Sequence, residues 1–255
     1  MIDWIQGERF MALANNEDIF YCHTHDVNYF FKHLPTEKPF ILISHNSDGC
    51  IMRHPNREDH ADVGLMPPNL IHWFGQNVNT VNVKVSSLPL GMENNRWLKK
   101  ERKLKKMEEK VNEPRKIRNL LYVNHNVATN PEERQRPYFL FAKQDWATVK
   151  RGKNGEGFYA YLDDLYNHQF ILSPQGHGMD TVRTWEALYM GTIPIEKRNL
   201  NNRFYEDLPI CFVSEWEQIT EEFLQEEYVR IMTTKWNLEK LNFEYWANKI
   251  RNYDK

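Results

Sequence analysis

Apolar and polar positions follow a repeating order along the chain. Short apolar runs end in polar clusters at "DIFYCHTHD" (residues 18–26), "PFILISHNSDG" (39–49), "NLIHWFGQN" (69–77) and "VKVSSLPLG" (83–91). A stretch with helical spacing, "VNYFFKHL", separates the first two. Apolar strand, polar tip, then helix is the pattern of a parallel sheet, whose ligands gather at the carboxyl ends of the strands. The order resumes at "NLLYVNHN" (119–126) and continues with a helix over "NPEERQRPYFLFAKQ", where Pro131 suits a first turn. Next come a strand near "WATVK", a helix near "FYAYLDDLYNH", strand "FILS", helix "DTVRTWEALYM", strand "TIPIE", a helix after Asn199 and strand "ICFV". This βαβ series predicts an α/β protein with parallel sheets, followed by a tail, residues 217–255, that is helical in two or three pieces.

Between the two series lies "RWLKKERKLKKMEEKVNEPRKIR" (96–118), with Glu101 and Lys105 at helical spacing and Pro114 as a stop. It reads as a solvated helix linking two domains, or as a basic surface for an anionic partner or membrane. Composition narrows the class. Hydrophobic residues at 41%, charged residues at 27% and eight Trp describe a globular chain, not a disordered one. The net charge of -2 supplies no field that would recruit nucleic acid. Cys22, Cys50 and Cys211 form no CxxC and leave an odd thiol, which favours a reducing compartment. With no signal-like N-terminus and no stretch approaching a membrane span, a cytoplasmic protein is the expectation.

The densest chemistry lies in "FILSPQGHGMDTVRTWEALYMGTIPIEKR" (170–198). Its loop, residues 173–180, falls at the carboxyl edge of the predicted sheet. Gly176 and Gly178 let the backbone approach a ligand, and Asp180 or Thr181 can cap the helix that follows. Arg183, in the first turn of that helix, can offer a bidentate fork to a diphosphate. Glu186 shares its helical face and can receive sugar hydroxyls. The alternative is a plain surface ion pair at i,i+3 spacing. The loop is neither GxGxxG nor a P-loop.

This block resembles the C-terminal signature of exostosin-like glycosyltransferases: an apolar strand ending in Ser/Cys-Pro, a glycine loop, Arg separated by two residues from E-A-L, then G-x-I-P-[IV]. "WFGQNVN" and "SSLPLGMENNRW" are similar to segments that precede the nucleotide domain in related sequences. The resemblance implies a compact GT-B-like arrangement of two Rossmann-like domains. Residues 1–112 would bind the acceptor, residues 113–225 the nucleotide sugar, and helices over 226–255 would pack back toward the first domain. It also implies a UDP-linked donor, with a pentose such as xylose or another sugar moved with inversion to a glycan or glycoprotein hydroxyl, and no required metal or other cofactor. Carried over, Ser173, Pro174, Gly176, His177, Gly178 and Arg183 fall at the diphosphate and Glu186 at the ribose. Asn124, Asn126 and Arg134 are further phosphate candidates.

Inversion needs a base for the acceptor hydroxyl. "HTHD" and "SHNSDG" supply Asp48, His45, His25 and Asp26 at the predicted carboxyl edge of the first sheet, with Asp48 favoured by its turn. The same tips, with His23 added, leave open a metal-dependent hydrolase, and "VNHN" around His125 adds another polar tip. A non-catalytic nucleotide-sugar or glycan binder is the third reading. Trp73, Trp97, Trp185 and Tyr122 are candidate platforms for sugar rings, against ordinary core roles.

Overall fold

Two parallel sheets, built one after the other along the chain, organise the protein. The computed structural model describes residues 2–95, 102–150 and 157–253. The first half contains α1 (Gly7–Met11), β1 (Ile19–His23), α2 (Val27–Lys32), β2 (Phe40–His45), a small pair β3 (Ile51–Met52) and β4 (Ala61–Asp62), β5 (Leu70–Gly75) and β6 (Val85–Ser87). After α3 (Arg102–Val111) come β7 (Asn119–Val123), α4 (Pro131–Arg134), α5 (Arg136–Phe141), β8 (Ala147–Val149), α6 (Gly157–Tyr166), β9 (His168–Leu172), α7 (Val182–Met190), β10 (Ile193–Lys197) and β11 (Cys211–Val213). The tail forms α8 (Glu221–Thr233) and α9 (Phe243–Arg251).

The first sheet has the order β1-β2-β5-β6 and the second β11-β10-β9-β7-β8, with parallel pairing throughout. Every residue of β2 is buried, which explains its uninterrupted apolar run: a central parallel strand is covered on both faces. The second sheet reverses direction. From β7 the chain crosses to β8 on one side, then returns to place β9 on the other. Such a reversal opens a crevice at the carboxyl ends of the two strands that flank it, here β7 and β9. The first sheet follows chain order and has no reversal.

The halves share one apolar cluster, which joins Ile5, Phe10, Ile43 and Phe74 to Leu162, Trp185, Leu188 and Trp246. A polar seam also joins them. Asn201 Oδ1 accepts the Val78 N–H at 2.9 Å and the Ser87 hydroxyl at 2.7 Å. The tail returns to the N-terminal segment, where Phe243 N–H donates to Asp3 O at 3.0 Å and the Arg9 guanidinium lies 3.9 Å from the Phe243 ring centre.

Some local expectations change. The linking helix is solvated on one face only: Met107 in α3 is fully buried, and α3 packs against α6 and α7. Its basic residues are partly matched internally, Lys110 with Glu113 and Asp163, and Lys103 with Glu93. Glu101 and Trp97 lie outside the described residues. The helix expected over 130–144 is split into α4 and α5, with Pro137 in the first turn of the second, because proline has no N–H to continue the earlier ladder. The helix expected after Asn199 is one short 3-10 turn, Asn202–Tyr205. No helix among the described residues is long and apolar enough to cross a membrane.

Candidate functional site

Two buried polar atoms without partners belong to the segments that follow β7 and β9, the strands that flank the switch point of the second sheet. Arg183 stands in the first turn of α7, half-buried, and its Nε is enclosed with no hydrogen bond. His125, at the tip of β7, is buried; its Nε2–H donates to the Arg134 carbonyl at 2.7 Å, which leaves Nδ1 as a buried acceptor with no donor. Burial lowers the His125 pKa to about 3, so the ring is neutral at physiological pH. One turn along α7, the Glu186 carboxylate accepts the Tyr161 hydroxyl at 2.7 Å. Burial raises the Glu186 pKa, against the lowering by Tyr161 and Arg183. The alternative of a simple surface pair therefore does not describe these residues: Glu186 is hydrogen-bonded to Tyr161 and feels Arg183 through space. Buried polar atoms in proteins are nearly always paired. An unpaired guanidinium N–H at a topological switch point, beside the N-terminus of a nine-residue helix, has the chemistry to receive an anion.

The other loop residues have built-in partners. Arg134 Nε donates to Gln175 O at 2.9 Å, Nη1 to Asn126 O at 3.0 Å and Nη2 to Pro174 O at 3.0 Å, so it braces the loop after β9 against the loop after β7. Burial lowers its pKa to about 10, which leaves it charged. Ser173 Oγ lies 2.8 Å from Thr181 Oγ1 and 2.9 Å from Thr184 Oγ1, inside the fold. Asn124 Nδ2 donates to the Tyr122 hydroxyl at 2.6 Å, and the exposed Asn126 caps a turn through Ala128 N–H at 3.1 Å. The two loop glycines make room for protein groups. A Cβ at Gly176 would come within 2.8 Å of Arg134 Nη2, and one at Gly178 within 2.8 Å of Asn77 Nδ2.

That Gly178 contact crosses between the sheets. Asn77, in a left-handed conformation (φ 58°) just after β5, accepts the Asp180 N–H at 2.9 Å through Oδ1. Asp180 is not a side-chain cap for α7; its carboxylate accepts Leu90 N–H at 2.8 Å and the Trp185 indole N–H at 2.9 Å. Beside this seam, exposed Asp48 and exposed His177 meet at 3.8 Å. The tip of β2 and the loop after β9, singled out separately in sequence, thus face each other. His25 lies next to them, 3.3 Å from Ser47 Oγ and 3.5 Å from Asp26. His45 sits beneath, fully buried: Nδ1 accepts Asn46 N–H at 2.8 Å and Nε2–H donates to Pro89 O at 3.0 Å. Burial lowers its pKa to about 4. Asp48, His25 and Asp26 are therefore all exposed, Asp48 facing the second half through His177, and His45 is not.

Sequence reasoning passed over Asn77 and Tyr161. Asn77 had a signal: "QN" after β5 repeats the "HN" after β2, and Asn46 is also left-handed at φ 58°. Tyr161 had none, because only packing of α6 on α7 brings it to Glu186. Of the two roles left open for the candidate sugar platforms, the described residues take the core one. Trp73, Trp185 and Tyr122 are fully buried and present no ring face to a ligand. Among the described residues, no three His, Cys, Asp or Glu side chains converge as a set that could hold a metal ion.

No family model and no curated protein matches this chain.

A second buried acidic residue gives the seam a pH dependence. Glu196 on β10 accepts the Thr184 hydroxyl and Asn202 Nδ2, the latter at 3.1 Å. Burial, reinforced by the charge of Asp180, raises its pKa to about 7; burial raises that of Asp180 to about 6. A carboxyl whose pKa is raised on folding favours the native state while protonated, and that contribution is lost as pH rises. Stability should fall between about pH 4.5 and pH 7, by on the order of 3 kcal/mol from Glu196. Denaturant titrations of wild type and Glu196→Gln at pH 5 and pH 8 check this. The substitution should flatten the difference between the two pH values, and an unchanged difference would place the titration elsewhere.

Proposed function

We propose that the chain is an inverting, UDP-sugar-dependent glycosyltransferase, acting in the cytoplasm on a glycan or glycoprotein hydroxyl through a GT-B-like pair of Rossmann-like sheets. The observation that carries this reading is Arg183: a half-buried guanidinium with an unpartnered Nε, at the β7/β9 switch point and one turn from the Glu186 carboxylate. A diphosphate would take the Arg183 N–H groups and the free N–H groups of the first turn of α7. Glu186, one oxygen held by Tyr161, would accept ribose hydroxyls with the other. The resemblance of residues 170–195 to exostosin-like enzymes supports the same assignment.

In this reading Asp48 removes the acceptor proton as the hydroxyl oxygen attacks the anomeric carbon. The bond to UDP breaks, and the departing electron pair goes to the diphosphate, where Arg183 and the helix N-terminus stabilise the charge. These groups occupy the place a cation would otherwise fill, so turnover should not need added metal. The test is a thermal-shift screen of UDP, GDP and their sugars, followed by donor consumption in EDTA. UDP and at least one UDP-sugar should raise the melting temperature, because a ligand that binds only the native state stabilises it. Turnover should continue in EDTA. Failure of every nucleotide to shift the melting curve would overturn the nucleotide site, and loss in EDTA restored by a divalent cation would overturn the metal-free step.

A further inference from the structure

Away from the crevice, at the β11 edge of the second sheet, the β10–β11 connection, β11 and α8 enclose a cavity of about 380 Å³. Its chemistry is unlike that of the Arg183 site. Two arginines line it, and each is already matched by a glutamate in the same wall. Arg198 Nη1 donates to Glu206 at 2.9 Å; Arg230 forms a two-pronged contact with Glu227, Nε at 2.8 Å and Nη2 at 2.7 Å. The four charges cancel, so the cavity offers no net attraction to an anion or a cation.

The apolar surfaces come from Phe212, Phe223 and Trp236, all half-buried, and from buried Ile210. The Trp236 indole N–H is already satisfied by the Ile231 carbonyl at 2.8 Å, which leaves the ring's faces as its contribution to the lining. The Arg198 guanidinium lies 5.1 Å from the Phe212 ring centre and that of Arg230 lies 5.9 Å from Trp236. Planar donor forks, carboxylate acceptors and aromatic faces are thus interleaved around a space large enough for a small ligand.

We infer that this cavity is a carbohydrate subsite, which holds a neutral sugar unit of a glycan at a place separate from the donor crevice. A pyranose is the ligand whose chemistry matches. It carries no charge, it has C–H faces that rest on aromatic rings, and its vicinal hydroxyls both donate and accept, so they suit a guanidinium–carboxylate pair. A phosphate or nucleotide would want unmatched cations, and a peptide adding to β11 would find only the three residues Cys211–Val213. The inference does not depend on the nucleotide site: a glycan-binding protein that never met UDP could carry the same cavity.

The test is binding of the full-length protein to a printed array of neutral oligosaccharides, with no nucleotide present. Five proteins are compared: wild type, Arg183→Ala, Trp236→Phe, Trp236→Ala and Glu227→Gln, each checked for its melting temperature. Wild type and Arg183→Ala should retain the same glycans. Trp236→Phe, which keeps a ring but loses the N–H bond to Ile231, should retain most of the binding. Trp236→Ala should weaken it about tenfold or more, the usual consequence of removing a central aromatic anchor. Glu227→Gln, which leaves the aromatic faces intact, should also weaken it and so guards against a folding defect in Trp236→Ala. Absence of any glycan bound by Arg183→Ala, or binding that survives both Trp236→Ala and Glu227→Gln, overturns the inference. Glycan binding without any UDP response would leave this subsite standing while overturning the proposed transferase.

Discussion

UDP should bind the Arg183→Ala protein about ten- to a hundredfold more weakly than wild type, equivalent to about 1.5–3 kcal/mol for hydrogen bonds to a charged group. The structure makes this a clean experiment. Arg183 Nε has no partner to abandon, so its removal should leave the melting temperature close to that of wild type. Arg183→Lys should recover only part of the affinity, because an ammonium supplies charge without the planar fork. Arg134 is the contrasting control. It holds the carbonyls of Asn126, Pro174 and Gln175, and its replacement by alanine would leave those of Pro174 and Gln175 unmatched and lower stability instead. Isothermal titration with UDP, paired with thermal melts, separates the two outcomes. Unchanged UDP affinity in a folded Arg183→Ala protein would remove the diphosphate from this crevice.

Asp48→Asn should lower kcat by roughly 10²–10⁴, the usual worth of a general base, while UDP affinity stays near wild type. Asp48 is exposed just beyond β2 and its one ion-pair partner among the described residues is His177, 3.8 Å away on the loop after β9. In the proposed reaction that position would give the carboxylate access to an acceptor hydroxyl, and Asn keeps its shape without its basicity. His45→Ala is expected to act differently. The ring is buried and neutral and ties Pro89 to Asn46, so its loss should appear first in the melting temperature. Steady-state rates with a UDP-sugar that shifts the melting curve decide between these. Normal turnover by Asp48→Asn, with inactive His25 or Asp26 variants, would move the base to the neighbouring strand tip.

Much of the scaffold was legible in the chain because its cause is local. Apolar runs such as "FILIS" and "FILS" are what buried parallel strands require, and polar residues follow wherever such a strand ends. The same reading placed Arg183 and Glu186 on one face of α7, since helical spacing alone fixes that. It could not say whether they pair with each other. The packing of α6 beside α7 decided it, by giving Glu186 the Tyr161 hydroxyl and leaving Arg183 Nε unmatched. Nor does a strand pattern carry strand order. The reversal at β7, which makes a crevice there and not in the first sheet, exists only in three dimensions.

The glycines show the same division. As residues in a loop, Gly176 and Gly178 announce close approach, but not of what; the fold fills those spaces with Arg134 and Asn77. The histidines of "HTHD" and "SHNSDG" look equivalent as sequence, yet His25 is exposed while His45 is enclosed at the end of a strand buried along its whole length. Sequence determined which side chains sit on each element, through spacing and burial preference. Tertiary structure decided which of them remain without partners, because pairing depends on neighbours that lie far away along the chain.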